Sequence, residues 1–179
     1  MSERGAPSAY RGYRLQSLYV LWRVLTSESD PTLTFQPEGL EDLDILRNEQ
    51  LEEAIQVKSF ENLVLSNIST GEPNSFFHRA VDLLNSSPTI QIHLVNFGSI
   101  GEEMRLAWAG DEEYRARISK KLSEKGFDED DTRGLYRSID IVALSEGEIE
   151  SEVLELPQEQ MTGIYPIRSL EVRPKSSRF

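Results

Sequence analysis

Apolar residues recur at helical spacing from Ala9 to about Thr26. Tyr13, Leu18, Leu21, Trp22 and Leu25 share one face, and Leu15, Tyr19, Val20 and Val24 widen it. An arc that broad predicts a well-buried helix, with Ser8 as its N-cap and the Ser27–Pro31 cluster as its stop. Residues 32–36 (TLTFQ) alternate and favour β structure, and Leu43–Leu46 and Ala54–Lys58 are two further short strands joined by a polar turn around Asn48–Gln50. Residues 60–68 and 74–85 follow as helices, the second with Phe76, Phe77, Ala80, Val81 and Leu84 on its apolar face. Residues 89–97 (TIQIHLVNF) carry the clearest strand pattern of the chain, closed by Gly98 and Gly101. Helices are predicted near 101–109 and 111–125, with Gly126 ending the second. Residues 127–134 read as a charged connector, 136–144 as a strand, and Glu148–Leu154 as a short helix.

Strands and helices are therefore interleaved, which predicts an α/β fold with a central mixed β-sheet flanked by helices on both faces. At 179 residues, one domain is expected. Residues 1–8 are read as a flexible leader, 9–156 as the domain, and 157–179 as a C-terminal extension or linker.

Composition narrows the chemistry. The chain has no cysteine and only two histidines, His78 and His93. Thiolate metal sites are excluded and two histidines count against a multi-histidine site, so a metal is expected on carboxylates, which favours Mg²⁺ or Mn²⁺. No run approaches the roughly 18 apolar residues of a membrane span, and the expected location is cytoplasmic with no membrane partner. The formal charge of −12 counts against a free-standing nucleic-acid binder. The charge is uneven, however. Residues 1–25 carry Arg4, Arg11, Arg14 and Arg23 against Glu3, whereas residues 26–62 carry ten acids against Arg47 and Lys58.

The segment that carries chemistry is EGLEDLDILRNEQLEEAIQVKS, residues 38–59. Strand alternation puts Asp42 and Asp44 on one face of the first strand, and Ala54, Gln56 and Lys58 on one face of the second. A hairpin centred near residue 50 would set Asp44 opposite Gln56 and Asp42 opposite Lys58. One face is then wholly apolar, with Leu43, Ile45, Ile55 and Val57. The other gathers two carboxylates, an amide and an ammonium, a combination that a divalent cation would make favourable.

An Asp, a short turn, then Gln-x-Lys on the next strand resembles the PD-(D/E)xK nuclease motif in its Mrr-like Gln-x-Lys form. The chain is similar in particular to the double-stranded DNA endonuclease domain of CBASS effectors, STAND antiviral NTPases and Lamassu nuclease subunits. The resemblance runs over roughly residues 10–145. It rests on Gly12, Tyr13 and Gln16 in the first helix, on Glu38, Glu41, Asp42 and Asp44, and on Gln56 and Lys58. It implies a restriction-endonuclease-like sheet and a metal-dependent endonuclease that hydrolyses phosphodiester bonds of double-stranded DNA. It implies Asp42, Asp44, Gln56 and Lys58 as catalytic residues, with Asp42, Asp44 and Gln56 around Mg²⁺ or Mn²⁺. Asp42 and Asp44 are both candidates for the main ligand, Glu38 is an auxiliary candidate, and Gln16 could reach the site from the first helix. The setting it implies is anti-phage defence, with activation by a sensor or ATPase partner subunit or fused domain and an oligomer as the active state. An RNA nuclease and a non-catalytic interaction module on a degenerate nuclease fold are the alternatives.

Other chemistry-bearing residues have plainer readings. His93 is expected to be a satisfied sheet residue and His78 a helix-surface residue. Trp22 and Trp108 are expected in the core, and FDEDD at 127–131 lacks calcium-loop spacing. Arg11, Arg14 and Arg23 suit either phosphate contacts or an ordinary helix surface.

Overall fold

The turn between the two site-bearing strands sets the geometry of everything around it. The computed structural model describes residues 5–27, 30–69 and 71–155. Asn48 (φ 50) and Glu49 (φ 66) both adopt left-handed backbone, as a two-residue hairpin turn of right-handed strand twist requires. They join β2 (Leu43–Arg47) to β3 (Gln50–Lys58), with a register shift between Ile45 and Leu46. Asp44 therefore pairs with Ala54, not with Gln56, and Leu43 pairs with Ile55. From Leu43 to Ile45 the expected register is off by two residues, an even displacement that keeps those side chains and their partners on the predicted faces. Past the shift the pairs Leu46–Leu51 and Arg47–Gln50 are off by three, and Leu51 packs on the α3 side, opposite to Ile55 and Val57.

The sheet is five-stranded and mixed, in the order β1 (Leu33–Pro37), β2, β3, β5 (Gln91–Phe97), β7 (Ile139–Leu144). β1, β2 and β3 are antiparallel neighbours, while β3, β5 and β7 run parallel. This is the α/β class expected.

One face of the sheet packs Ala54, Ile92, Leu94 and Ile139 against α3 (Phe76–Ser86), α4 (Glu102–Trp108), α5 (Glu112–Ser123) and α6 (Glu129–Ser138). The other face packs Leu43, Ile45, Ile55, Val57 and Val95 against Leu15 and Tyr19 of α1 (Gly5–Thr26) and Ile149 of α7 (Glu146–Glu155). The apolar face foreseen for the hairpin is thus the floor under α1.

Four expectations need correction. Helix α1 begins at Gly5, so residues 5–8 belong to it and Ser8 is not its N-cap. It is also less buried than its wide apolar arc suggested, because Tyr13 is 66% and Leu21 45% exposed. Residues 60–68 are not one helix: β4 (Asn62–Leu63) pairs with β6 (Ser99–Ile100), and only α2 (Leu65–Ile68) is helical. Tertiary bonds override local propensity there, since Asn96 takes both backbone groups of Phe60 and Ser99 N–H donates to Glu61 O at 3.0 Å. Finally, residues 129–138 are α6 rather than a connector and a strand start. Asp128 accepts the Asp131 N–H at 2.8 Å while the Asp131 side chain accepts the Asp128 N–H at 3.2 Å. That reciprocal cap, with three acids in the first turn, suits a helix start. The C-terminal extension expected from residue 157 lies outside the described residues. Among the described residues no helix is long and apolar enough to cross a membrane.

Candidate active site

Lys58 ends β3 at its carboxyl end, where ligands of open α/β sheets commonly sit. Gln56 and Lys58 share the α3 face of the strand with Ala54, and the residue just before β2, Asp42, meets them there. Asp42 Oδ2 accepts the Gln56 Nε2 amide and the Val57 backbone N–H, the latter at 2.7 Å. Lys58 is part-buried. Burial pulls its pKa below the ordinary lysine value, the Asp42 carboxylate opposes that shift, and the nearby Arg79 guanidinium adds to it. The structure therefore brings Asp42, Gln56 and Lys58 into one electrostatic neighbourhood.

Asp44 is turned elsewhere. Its carboxylate accepts the N–H groups of Leu40 at 2.7 Å and Glu41 at 3.3 Å, and is buried under the loop that precedes β2. A Cβ on Gly39 would stand 2.2 Å from Asp44 Oδ2, so glycine is needed for the loop to close over the carboxylate. Glu38 is exposed, at φ 54, and its backbone N–H donates to Asp42 O at 3.1 Å. Gln16 follows Leu15 on α1, which packs on the opposite face of the sheet, and it makes none of the hydrogen bonds just described.

Two participants escaped sequence reasoning. Glu41 is buried, and both its carboxylate oxygens are held at 2.8 Å by the Nε and Nη2 of Arg79 from α3. The same Nη2 donates to Gln56 Oε1 at 2.9 Å. The grip on Glu41 raises the Arg79 pKa. Glu41 was visible only as part of an acidic stretch. Arg79 flanks the apolar face of α3, where nothing in the sequence sets it apart from a surface arginine.

The arginines of α1 all meet carboxylates. Arg11 lies 3.8 Å from Glu146, Arg14 contacts Glu146 and, at 3.2 Å, Glu150, and Arg23 lies 2.7 Å from Glu53. His93 stands between Glu53 at 3.4 Å and Asp140 at 3.7 Å. His78 is half-buried against Phe127 and within 2.8 Å of Ser75 Oγ, rather than on the open surface. Trp22 is part-buried and donates to Glu152 at 2.7 Å, and Trp108 stacks on Phe77.

A solved structure shares this architecture. The Cap4 SAVED/CARF-domain-containing receptor of Moraxella osloensis matches 85% of this chain with a TM-score of 0.52 at 14% identity. The match takes in 38% of the receptor's own chain, so this chain corresponds to well under half of it. Likeness at that identity concerns the fold alone. No protein-family model and no curated protein matches the sequence.

Among the described residues, no group of three or more His, Asp or Glu side chains is placed to hold a metal ion. The oxygens gathered here are the Asp42 and Glu41 carboxylates and the Gln56 amide. Mg²⁺ commonly keeps several waters and takes only one or two carboxylates from the protein, so these oxygens suit a hard divalent cation by type, although Arg79 holds both Glu41 oxygens and the Gln56 amide oxygen.

Proposed function

We propose that the chain is a metal-dependent endonuclease that hydrolyses phosphodiester bonds of double-stranded DNA and serves as an effector of anti-phage defence. The observation that carries this reading is the convergence of Asp42, Gln56 and Lys58 at the carboxyl end of β3. A divalent cation bound here would polarise a phosphoryl oxygen and lower the pKa of an attacking water. Asp42 would contribute a carboxylate to hold the cation. Gln56 fixes that carboxylate through its amide. Lys58 places a part-buried ammonium beside it, where low effective dielectric strengthens its pull on the charge that develops on the phosphate.

The charge balance supports a nuclease that binds DNA weakly by itself. The net charge is −12, and the arginines of α1 are each opposed by a carboxylate of the same chain. A sensor or ATPase partner, or an oligomer, would supply basic surface and multivalent grip. The likeness to part of a longer receptor chain supports a module of that sort.

The test is cleavage of duplex DNA and of RNA by excess protein with Mg²⁺ or Mn²⁺, beside EDTA controls. Divalent-dependent cutting of DNA is expected. Preferential cutting of RNA would move the activity to an RNA nuclease. Bound Mn²⁺ with neither polymer cut would leave an interaction module.

A further inference from the structure

The fork of Arg79 occupies oxygens that a divalent cation would use. Nε and Nη2 meet the two carboxylate oxygens of Glu41 at 2.8 Å each, and Nη2 also meets the Gln56 amide oxygen at 2.9 Å. Two carboxylate oxygens and an amide oxygen are typical hard-cation ligands. The Glu41 side chain is 2% exposed, and a carboxylate so buried needs a cation beside it. The remaining nitrogen, Nη1, donates to the Asn74 carbonyl at the exposed side. The Arg79 side chain is 35% exposed and rises from the first turn of α3, so once it leaves Glu41 and Gln56 its long stem has solvent to turn into. A second cation cannot share Glu41 and Gln56 with the guanidinium without strong like-charge repulsion.

We propose that Arg79 is an internal counter-ion that a divalent metal must displace from Glu41 and Gln56, which makes Glu41 the second carboxylate ligand and Arg79 the gate on metal loading. The inference deepens the nuclease reading and rests on the same site. While Arg79 grips Glu41 the site is closed to metal, and the apparent metal affinity is reduced by the fraction of molecules in that state. Removing the guanidinium leaves Glu41 buried without its partner, so the variant should need metal for stability as well as accept it more readily.

The experiment is Mn²⁺ titration, followed by electron paramagnetic resonance and by thermal unfolding, of the wild-type chain, Arg79→Met, Arg79→Lys and Arg79→Met with Glu41→Gln. Arg79→Met should melt lower than wild type without metal, regain stability with Mn²⁺, and bind Mn²⁺ about 10-fold or more tightly than wild type. Arg79→Lys, which keeps a charge but loses the fork, should fall between them and carries the test if Arg79→Met folds only with metal. Glu41→Gln should erase the gain. Equal or weaker Mn²⁺ binding by both Arg79 variants, or no binding by any form, overturns the proposal. Cleavage assays separate the two claims. Tighter Mn²⁺ binding without DNA cutting by any form leaves the gate standing and removes the nuclease. Cutting by wild type with metal affinity indifferent to Arg79 does the reverse.

Discussion

Asp44 accepts the backbone N–H of Leu40 at 2.7 Å, and this bond separates the roles of two aspartates that the sequence leaves equivalent. Asp44 holds the loop that carries Glu41, while Asp42 faces Gln56. Replacing Asp44 with Ala strands two N–H groups and should cost about 1–3 kcal/mol in urea unfolding. Asp42→Asn keeps an acceptor for Val57 and should cost under about 1 kcal/mol, yet leave no cleavage. Full stability of Asp44→Ala, or normal cleavage by Asp42→Asn, would mean the roles are assigned the wrong way round.

Asn96 is the second structural support of the site. It pairs with Lys58 across β3 and β5 and is fully buried. Its amide donates to Phe60 O and Ser99 O at 2.9 Å and accepts Phe60 N–H at 2.9 Å, which fixes the chain just past Lys58. Asn96→Ala should cost about 3 kcal/mol, since three part-buried backbone groups, the Phe60 N–H and the Phe60 and Ser99 carbonyls, lose their partner at once. Hydrogen exchange should speed up first at Phe60, and unchanged exchange there would remove Asn96 from this role.

On the opposite face, Glu53 carries an acid-sensitive contribution to stability. Its hydrogen bond with His93, followed by the charge of Arg23, holds its pKa below the ordinary glutamate value, against a smaller opposing push from burial than the His93 bond supplies. A depressed folded pKa means the unfolded chain binds the proton more tightly. The contribution is therefore complete above the ordinary value of 4.5 and is lost as pH falls through the lower folded value. Glu53→Gln should flatten the stability profile in that acid window in denaturant melts. A variant profile parallel to wild type below pH 4.5 would contradict it.

The sequence made much of this legible because alternation is a strict rule in strands. Leu43, Ile45, Ile55 and Val57 announced the buried floor, and by the same parity Asp42, Gln56 and Lys58 shared the other face. The register was not legible, because the left-handed pair Asn48 and Glu49 gives no glycine signal for its turn. Helix α6 was hidden by its own acids: Asp128 to Asp131 look like a solvated run until they are seen as a cap and a first turn. Arg79 was beyond reach, because its partners Glu41 and Gln56 lie 38 and 23 positions away in the chain.

Whether the Lys58 end of β3 cuts DNA is decided by single-turnover cleavage of duplex DNA with Mg²⁺, protein in excess, by wild type and Lys58→Met. Burial disfavours the charged form of Lys58, so the folded chain gives up stability at neutral pH to hold that ammonium and regains it as pH rises toward 10.5. Lys58→Met should thus melt no lower than wild type at neutral pH while its cleavage rate falls by about 100-fold or more. Cleavage by Lys58→Met at the wild-type rate would contradict the account.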